Sequence, residues 1–271
     1  MKYPAVSIII TTKNEEDVIA SLLKSVKRQT YPNIEIIVVD NHSTDKTCDI
    51  VKRFGIAVLT DGPERSAQRN AGAKCARGRY VFFLDADMVL SESVVFECVD
   101  MAVKNSDAKL IVVPERSAGV GFWAACKTLE RRCYEGDATL EAARFFDKKA
   151  FWDAGGYDER LTGPEDWDLP QRMQQKYPLR RIFSYIMHNE RRVRLRSLMK
   201  KKFYYGLKVS KYISQHPLSV TGTQLVYLFR PAFYRNWRLL ARDPVHAIGM
   251  IIMLGFEQVA GFAGFVRGRM V

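Results

Sequence analysis

The 271 residues suit one large domain, or one domain with an extension, and 47% of them are hydrophobic, which is enough for a sizeable core. The five cysteines are an odd number and form no Cys-x-x-Cys pair, which argues against a disulfide framework and a zinc site and predicts reduced thiols. The net charge of +12 predicts an anionic partner.

This charge is unevenly distributed along the chain. From residue 176 onward there are 18 Lys or Arg and only three acidic residues, a formal charge of +15 that leaves −3 for residues 1–175. The asymmetry predicts that the C-terminal third meets a membrane or a nucleic acid. The apolar stretch at the N-terminus is too short for a signal peptide and is followed directly by acids, so we expect a cytoplasmic chain.

The first 113 residues alternate strand patterns with helix patterns. The expected strands are 5–12, 34–40, 55–60, 80–84 and 109–114, and the expected helices are 15–29, 45–53, 64–77 and 92–104. Near-continuous Val, Ile and Phe strands between helices predict a mostly parallel sheet covered on both faces. Ligands bind at the carboxyl ends of such strands. Those ends carry Thr11, Asp40, Thr60, Asp85 and Asp87.

The rest of the chain is less regular. Residues 119–190 show turn signals, residues 196–214 form a basic amphipathic helix pattern, and residues 247–266 are a hydrophobic run with Glu257 and Gln258 as its strongly polar members. Upstream of the run, aromatic residues alternate with arginines, a composition typical of a headgroup interface. An interfacial helix, a membrane span and a helix packed on the domain all stay open.

Two acidic clusters carry the chemistry. Asp85 and Asp87, one residue apart after a strand, can hold a divalent cation of the magnesium or manganese type, although a turn and helix cap would also explain them. Glu165 and Asp166 follow a Gly-Pro turn and precede Asp168. They can cap a helix, or supply a general base for an acceptor hydroxyl.

These pieces, in this order, resemble family-two inverting glycosyltransferases with the GT-A fold. The resemblance runs over about residues 5–190 and is carried by VSIIITTKNEE, IIVVDNHSTDKT, ERSAQRNAGAK, FLDADM, FWDAGGYDER and GPEDWDL. It implies a GT-A-type α/β nucleotide-binding domain over residues 1–195, with a basic helical extension over 196–271.

The resemblance also implies roles for individual residues. The nucleotide pocket would be lined by Thr11, Asn14, Glu15 and Asp40, with Arg65 or Asn70 near the base or diphosphate. The Asp85-Ala86-Asp87 stretch would face the sugar and diphosphate, with at least Asp87 on a Mn²⁺ or Mg²⁺ ion. Asp166 would deprotonate the acceptor hydroxyl and Glu165 would orient it. His188 matches a position where some relatives supply a metal ligand, but it could be an ordinary polar histidine.

One departure from the family pattern limits the reaction. Processive polysaccharide synthases follow the acid pair with Gln-x-x-Arg-Trp, and here no Arg-Trp follows Gln171, Gln174 or Gln175. We therefore expect transfer of a single sugar from a nucleotide-diphosphate sugar, with inversion, to a lipid-linked saccharide or glycolipid at the inner face of the membrane. A polyprenyl-phosphate glycosyl synthase is the alternative. Nucleic-acid binding is disfavoured because it leaves the hydrophobic run without a role.

Overall fold

The computed structural model describes residues 3–216 and 218–270. Its contacts divide the chain into two compact units. The first comprises residues 1–115, 142–159 and 165–188, and the second comprises residues 116–141, 160–164 and 189–271. The expected boundary between residues 195 and 196 stays a prediction, since the second unit also draws on two earlier segments.

A seven-stranded sheet with the order β3-β2-β1-β4-β8-β6-β9 forms the centre of the first unit. A shorter sheet has the order β5-β10-β7. The strands are β1 (Val6–Thr12), β2 (Ile34–Asp40), β3 (Val58–Thr60), β4 (Tyr80–Asp85), β5 (Met88–Leu90), β6 (Leu110–Val112), β7 (Glu115–Gly119), β8 (Ala143–Asp147), β9 (Leu179–Arg181) and β10 (Ile186–Arg191).

The large sheet is mostly parallel and buried on both faces, which confirms the expected α/β class. Every pair between neighbouring strands is parallel except those made by β8, which runs antiparallel to β4 and β6. Successive residues of a strand point to opposite faces. Accordingly, Ile8 and Ile10 belong to one core cluster and Ile9 to the other.

Helices cover the sheet and build most of the second unit. They are α1 (Ile19–Lys27), α2 (Thr47–Arg53), α3 (Arg65–Cys75), α4 (Val94–Lys104), α5 (Phe122–Tyr134), α6 (Lys148–Asp153), α7 (Glu165–Gln174), α8 (Leu195–Lys208), α9 (Ser210–Gln215), α10 (Leu218–Leu225), α11 (Pro231–Arg235), α12 (Trp237–Arg242) and α13 (Pro244–Gly268), with a 3₁₀ turn at Tyr227–Phe229.

Several expected boundaries shift when the chain is folded. The first helix begins at Ile19, not at Glu15, because Glu15 and Glu16 are held in the preceding loop through backbone hydrogen bonds to Thr47 and Asp45. The expected helix over 196–214 is two helices, α8 and α9, that meet at Val209. Residues 119–190 are more regular than expected and contain α5, β8, α6, α7, β9 and most of β10.

Helix α3 lies very close to the sheet because Gly72 has no side chain. A Cβ atom built on Gly72 would come within 2.4 Å of the Ile9 side chain. The small-residue pattern in this helix therefore lets its backbone approach the central strand, which brings the polar side chains of its N-terminal half to the strand ends.

In the second unit, α13 packs along α8 and α5. The contact with α8 is backbone to backbone, because a Cβ on Gly264 would fall 2.1 Å from the Phe203 carbonyl oxygen, and one on Gly206 would fall 2.2 Å from the Gly261 carbonyl oxygen. Close packing of this kind needs glycine at the contact. The apolar side of this packing includes Cys126, Met250 and Leu254.

The 25 residues of α13 are long and apolar enough to cross a membrane, judged by length and composition only. That test is also passed by core helices of soluble proteins, and 39% of the most apolar window of α13 is buried. The aromatic-basic segment before it is only partly exposed. Phe229, Tyr234 and Trp237 are exposed, whereas Arg230 and Phe233 are buried. The interfacial location that the composition of this segment suggests stays a prediction.

Candidate active site

The candidate site lies at the carboxyl ends of four neighbouring strands of the first unit. The register pairs Thr12 of β1 with Asp40 of β2, and Thr11 of β1 with Asp85 of β4. Asp40 pairs in turn with Thr60 of β3. The parallel sheet therefore brings these strand-end residues to one edge, as the sequence predicts.

Asp40 is buried and fixed by its own loop. Its carboxylate accepts hydrogen bonds from the Thr12 hydroxyl (2.8 Å), the Ser43 backbone N–H (2.7 Å) and the Ser43 hydroxyl (2.6 Å). Burial acts to raise the pKa of Asp40, but the hydrogen bonds from Ser43 and Thr12 lower it overall. Asp40 is thus held as a carboxylate at the base of the loop that follows β2.

Asn14 and Glu15 connect two strand-end loops. The backbone N–H of Asn14 donates to Ser43 Oγ (2.7 Å), its side-chain oxygen accepts from the Thr44 N–H (2.8 Å), and the Glu15 N–H donates to Thr47 Oγ1 (2.7 Å). Asn14 has a positive φ of 54°, a conformation that Asn tolerates better than most residues. These contacts give the two residues a loop-ordering role, and their predicted nucleotide contact stays a prediction.

Three arginines surround Asp85. Arg69 lies 3.2 Å from Oδ1, while Arg65 and Arg144 each lie 3.6 Å from Oδ2, and the Thr11 hydroxyl donates to Oδ1 at 3.2 Å. Burial acts to raise the pKa of Asp85, but the arginine charges hold it well below its usual range. Arg69 and Arg144 also pair with other carboxylates, so Arg65, the most exposed of the three, is the cation that suits an anionic ligand beside Asp85.

Arg69 joins the two acidic clusters. Its Nη1 lies 2.6 Å from Asp166 Oδ1 and its Nη2 lies 3.2 Å from Asp85 Oδ1. The side chain is 0% exposed, and its guanidinium lies over the Tyr157 ring at 5.0 Å. Burial opposes its charge, but Asp166, Tyr157 and Asp85 raise the pKa of Arg69 above its ordinary value, so it is a permanent cation at this point.

Glu165 is the buried member of its pair. It opens α7, and its Oε2 accepts no hydrogen bond from the residues that the structure describes. Burial and then the charge of Asp166 raise the pKa of Glu165. Asp166, more exposed, is the carboxylate of the two that a substrate could reach.

Asp168, the third acid of this cluster, has a structural partner. It forms an ion pair with Arg172 (2.7 Å), and Arg172 also donates to the Gly156 carbonyl (2.7 Å) and the Ala154 carbonyl. The pair thereby anchors the turn between α6 and the following loop, where Gly155 and Gly156 both have positive φ.

Asn70 is buried and uses its side-chain amide within the protein. Its Nδ2 donates to the Tyr157 carbonyl and to Glu159 Oε1, both at 2.9 Å, and its Oδ1 accepts from the Tyr157 N–H at 3.1 Å. These contacts fix the loop that carries Tyr157 beneath Arg69. Arg65, half exposed at the start of α3, is the better placed of the two residues predicted to meet the base or diphosphate.

Asp87 and His188 form a pair of potential metal ligands. Residue 88 pairs with His188 across β5 and β10, which brings the His188 Nε2 to 3.4 Å from Asp87 Oδ1. That oxygen is buried and accepts no hydrogen bond from residues 3–216 or 218–270. An oxygen and an imidazole nitrogen of this kind fit Mn²⁺ or Mg²⁺, and the neighbouring Ala86 is buried.

The pair is not a complete metal cage. In the described part of the chain, no group of three or more His, Cys, Asp or Glu side chains could hold a metal ion. Ions of this type commonly take one or two protein carboxylates and complete their coordination with substrate phosphates and water. Asp85 is in contact with three arginines, so its role as a metal ligand stays a prediction.

Two residues of the candidate site, Arg69 and Arg144, were not predicted from the sequence. Arg69 stands four residues after Arg65 and so shares its helix face, a signal that could have marked it. Arg144 gives no such signal, because it reaches Asp85 from β8 while its Nε donates to Glu115 at 2.5 Å. Only the strand order brings these residues together.

Comparisons with known proteins agree with this geometry. Residues 7–155 match the model of "Glycosyl transferase family 2". A PGL/p-HBAD biosynthesis glycosyltransferase of Mycobacterium bovis is 30% identical over 180 residues, which cover 62% of this chain and 69% of that protein.

A UDP-Glc:alpha-D-GlcNAc-diphosphoundecaprenol beta-1,3-glucosyltransferase of Escherichia coli is 42% identical over 87 residues, 30% of this chain and 35% of that protein. For this relative and three others, the match covers only 27–42% of the relative's own length.

Among solved structures, a mannosyltransferase from Pyrobaculum calidifontis superposes with a TM-score of 0.70 at 16% identity, over 98% of this chain and 88% of the other. Staphylococcus aureus TarS, residues 1–349, superposes with a TM-score of 0.55 at 15% identity, over 98% of this chain and 90% of the other. These likenesses concern the fold. Together with the family match over more than half of the residues, they show that the chain belongs to glycosyltransferase family 2 and has the GT-A fold.

Proposed function

We propose that this protein transfers one sugar from a nucleotide-diphosphate sugar to a hydroxyl group of a lipid-linked saccharide or glycolipid, with inversion, at the cytoplasmic face of the membrane. The observation that carries the proposal is the contact of Arg69 with both Asp85 and Asp166. It links Asp166, a carboxylate suited to an acceptor hydroxyl, with Asp85, beside which the partly exposed Arg65 suits a diphosphate.

In this proposal, Asp166 accepts the proton of the acceptor hydroxyl as its oxygen attacks the anomeric carbon. The new C–O bond forms on the face opposite the diphosphate, the bond from the anomeric carbon to the diphosphate oxygen breaks, and the nucleoside diphosphate leaves with that electron pair. Arg69 orients Asp166, and the buried Glu165 beside it orients the acceptor.

The donor end would be bound by Arg65, on the exposed side of Asp85, and by the loops that Asp40 and Asn14 order. Asp87 and His188 would hold a divalent cation. When bound, such an ion supplies positive charge beside the departing diphosphate. The similar Pyrobaculum calidifontis mannosyltransferase was solved with GDP-Man and Mn²⁺, which makes Mn²⁺ the first ion to test.

A lipid-linked acceptor is supported by relatives and by charge. The two Escherichia coli relatives named as glucosyltransferases act on a diphosphoundecaprenol-linked GlcNAc, as their names state. The strongly basic last third of this chain would be attracted to the anionic surface in which such acceptors are embedded.

The deciding experiment measures transfer from a panel of nucleotide sugars, with Mn²⁺ or Mg²⁺, to lipid-linked saccharides and to polyprenyl phosphate. We expect nucleoside diphosphate release with one donor, dependent on the saccharide acceptor, and a product whose anomeric configuration, read by NMR, is opposite to that of the donor. Retention of configuration, or transfer to polyprenyl phosphate alone, would contradict the proposal.

A further inference from the structure

Helix α13 has one face that is exposed and entirely apolar. The exposed side chains recur every three or four residues and are between 44% and 67% accessible: Val245, Ile248, Ile251, Ile252, Phe256, Val259 and Phe262. The opposite face is buried and includes Met250, Met253 and Glu257. Contiguous apolar faces of this length are uncommon on soluble surfaces and mark an interaction site.

Basic residues lie at both ends of this apolar face. Arg238 and Arg242 precede α13, Arg267 and Arg269 end it, and all four are exposed. Trp237, also exposed, stands at the N-terminal end. An apolar face with arginines and a tryptophan at its ends complements an anionic bilayer, where acyl chains receive the apolar side chains and headgroups receive the cations.

The buried face of α13 argues against a membrane-spanning role. Glu257 is 1% exposed, and its carboxylate lies 3.2 Å from Lys202 of α8 and 3.4 Å from Lys127 of α5. Gly264 and Gly261 bring α13 against the backbone of α8. If α13 crossed the hydrocarbon, α8 would be carried in with it.

Helix α8 is unsuited to hydrocarbon because Lys200 and Lys201 are exposed on it. Placing such ammonium groups within a bilayer core is strongly unfavourable unless they reach the interface. The geometry therefore packs one side of α13 against α5 and α8 and leaves the other side for lipid.

We propose that α13 lies in the plane of the membrane, with the face from Val245 to Phe262 inserted at the boundary between headgroups and acyl chains of an anionic bilayer. The inference rests on the proposed function for its membrane setting, and it adds the element and the orientation with which the protein meets the lipid.

Depth measurements test the orientation. Spin labels are placed on Ile248→Cys, Phe256→Cys and Phe262→Cys in a Cys48→Ser, Cys75→Ser background, and the full chain is bound to vesicles of phosphatidylglycerol and phosphatidylcholine. We expect the three labels to report the same shallow depth. A profile that passes through the bilayer centre would establish a span, and three water-accessible labels would show that lipid does not cover this face.

Charge substitutions test which face is responsible. Ile252→Asp with Phe256→Asp should reduce binding to these vesicles by roughly tenfold or more, because carboxylates oppose insertion beside anionic lipid. The matched control is Phe96→Asp with Val103→Asp, two comparably exposed apolar residues on α4, which should bind as the unaltered protein does. Equal loss in both variants, or in neither, would overturn the proposal.

Two further measurements distinguish lipid binding by α13 from the proposed enzymatic function and from self-association of the chain. Donor hydrolysis in detergent should be equal in the Ile252→Asp, Phe256→Asp variant and the unaltered protein. If neither protein hydrolyses the donor, the proposed function is contradicted. The vesicle-binding measurement would still test the role of α13. Sedimentation without lipid should give the same mass for both proteins. If the unaltered protein is a dimer and the double substitution dissociates it, the exposed face of α13 binds a second copy of the chain and the proposal is wrong.

Discussion

Arg69 serves two carboxylates with one guanidinium group. A planar, always charged fork can donate to Asp85 and Asp166 at once, and its buried position over Tyr157 fixes the direction of both bonds. An ammonium group is a single point of charge and cannot reproduce that geometry. In the proposed mechanism, Arg69 is therefore a positioning residue for the base Asp166.

Arg69→Lys should lower kcat by roughly tenfold to a hundredfold with a smaller change in the donor KM, because the orientation of Asp166 is lost while Arg65 and Arg144 still contact Asp85. Steady-state kinetics measure the split. Arg65→Lys is the matched control and should act mainly on the donor KM. A change confined to the melting temperature would leave Arg69 a purely structural role.

Asp166→Asn separates the two acceptor classes. Without the carboxylate, transfer to a hydroxyl should fall by about 10²–10⁴-fold, whereas transfer to a phosphate, which needs little base catalysis, should be spared. Asp168→Asn is the control, since Asp168 pairs with Arg172 and should affect stability more than chemistry. Unchanged transfer to a hydroxyl in Asp166→Asn would remove this residue from the mechanism.

Asp87→Asn and His188→Gln should each weaken Mn²⁺ binding by roughly ten- to a hundredfold, as expected for loss of a ligand. Electron paramagnetic resonance of free Mn²⁺, recorded with the protein and a nucleoside diphosphate, measures this without catalysis. His246→Gln is the control, because His246 bonds to Asp243 in the second unit. Binding equal to that of the unaltered protein would exclude the pair as ligands.

At the scale of elements, α13 is held by a buried ion network as well as by glycine packing. Lys127 bonds to Glu130 (2.7 Å) as well as Glu257, and the Lys202 ammonium lies 4.3 Å from the centre of the Tyr227 ring. Burial acts to raise the pKa of Glu257, but the ammonium groups of Lys127 and Lys202 lower it. The charges thus pair within the protein and keep the polar side of α13 out of lipid.

This network predicts a defined pH dependence of stability. Because the folded pKa of Glu257 is lowered, its contribution is fully present above the ordinary value of 4.5 and is lost as the pH falls through the lowered pKa. Glu257→Gln should cost about 3–5 kcal/mol near neutral pH, since it removes the carboxylate that Lys202 contacts and leaves Lys127 with Glu130 alone.

Chemical denaturation at a series of pH values, compared for the variant and the unaltered protein, measures the difference in the free energy of unfolding. That difference should shrink as the pH drops below 4.5. A difference that stays constant with pH would show that the network does not stabilise the fold through the charge of Glu257. Gln258→Glu, one residue further on, tests whether any change of charge in this turn has the same effect.

At the scale of the whole molecule, the uneven charge makes a prediction about salt. The part of the chain from residue 176 carries +15, so binding to anionic vesicles should weaken steeply with ionic strength, because exposed charges are screened within about 10 Å at 0.1 M salt. Vesicle sedimentation across a salt series, with phosphatidylcholine vesicles as the neutral control, gives the slope. Binding that is the same on both lipids would make apolar insertion, not charge, the main attraction.

Much of the fold could be predicted from sequence because β1, β2 and β4 are rich in β-branched and aromatic residues. Once the strands are identified, the residues at their carboxyl ends are identified too. The register of the parallel strands brings Thr11, Asp40 and Asp85 to one edge of the sheet. What escaped prediction depends on distant pairing. Arg144 reaches Asp85 from a strand that enters the sheet antiparallel, and the partners of Glu257 come from helices 130 and 55 residues earlier in the chain.

The last two residues of β1 position both strand-end carboxylates of the site. Thr11 and Thr12 point to opposite sides of the strand, and each bonds a different carboxylate, Asp85 on one neighbour and Asp40 on the other. A single inserted or deleted residue in β1 would exchange their directions and detach both carboxylates together. The length of β1 is therefore fixed by both carboxylates at once, because a change that suited one of them would misplace the other.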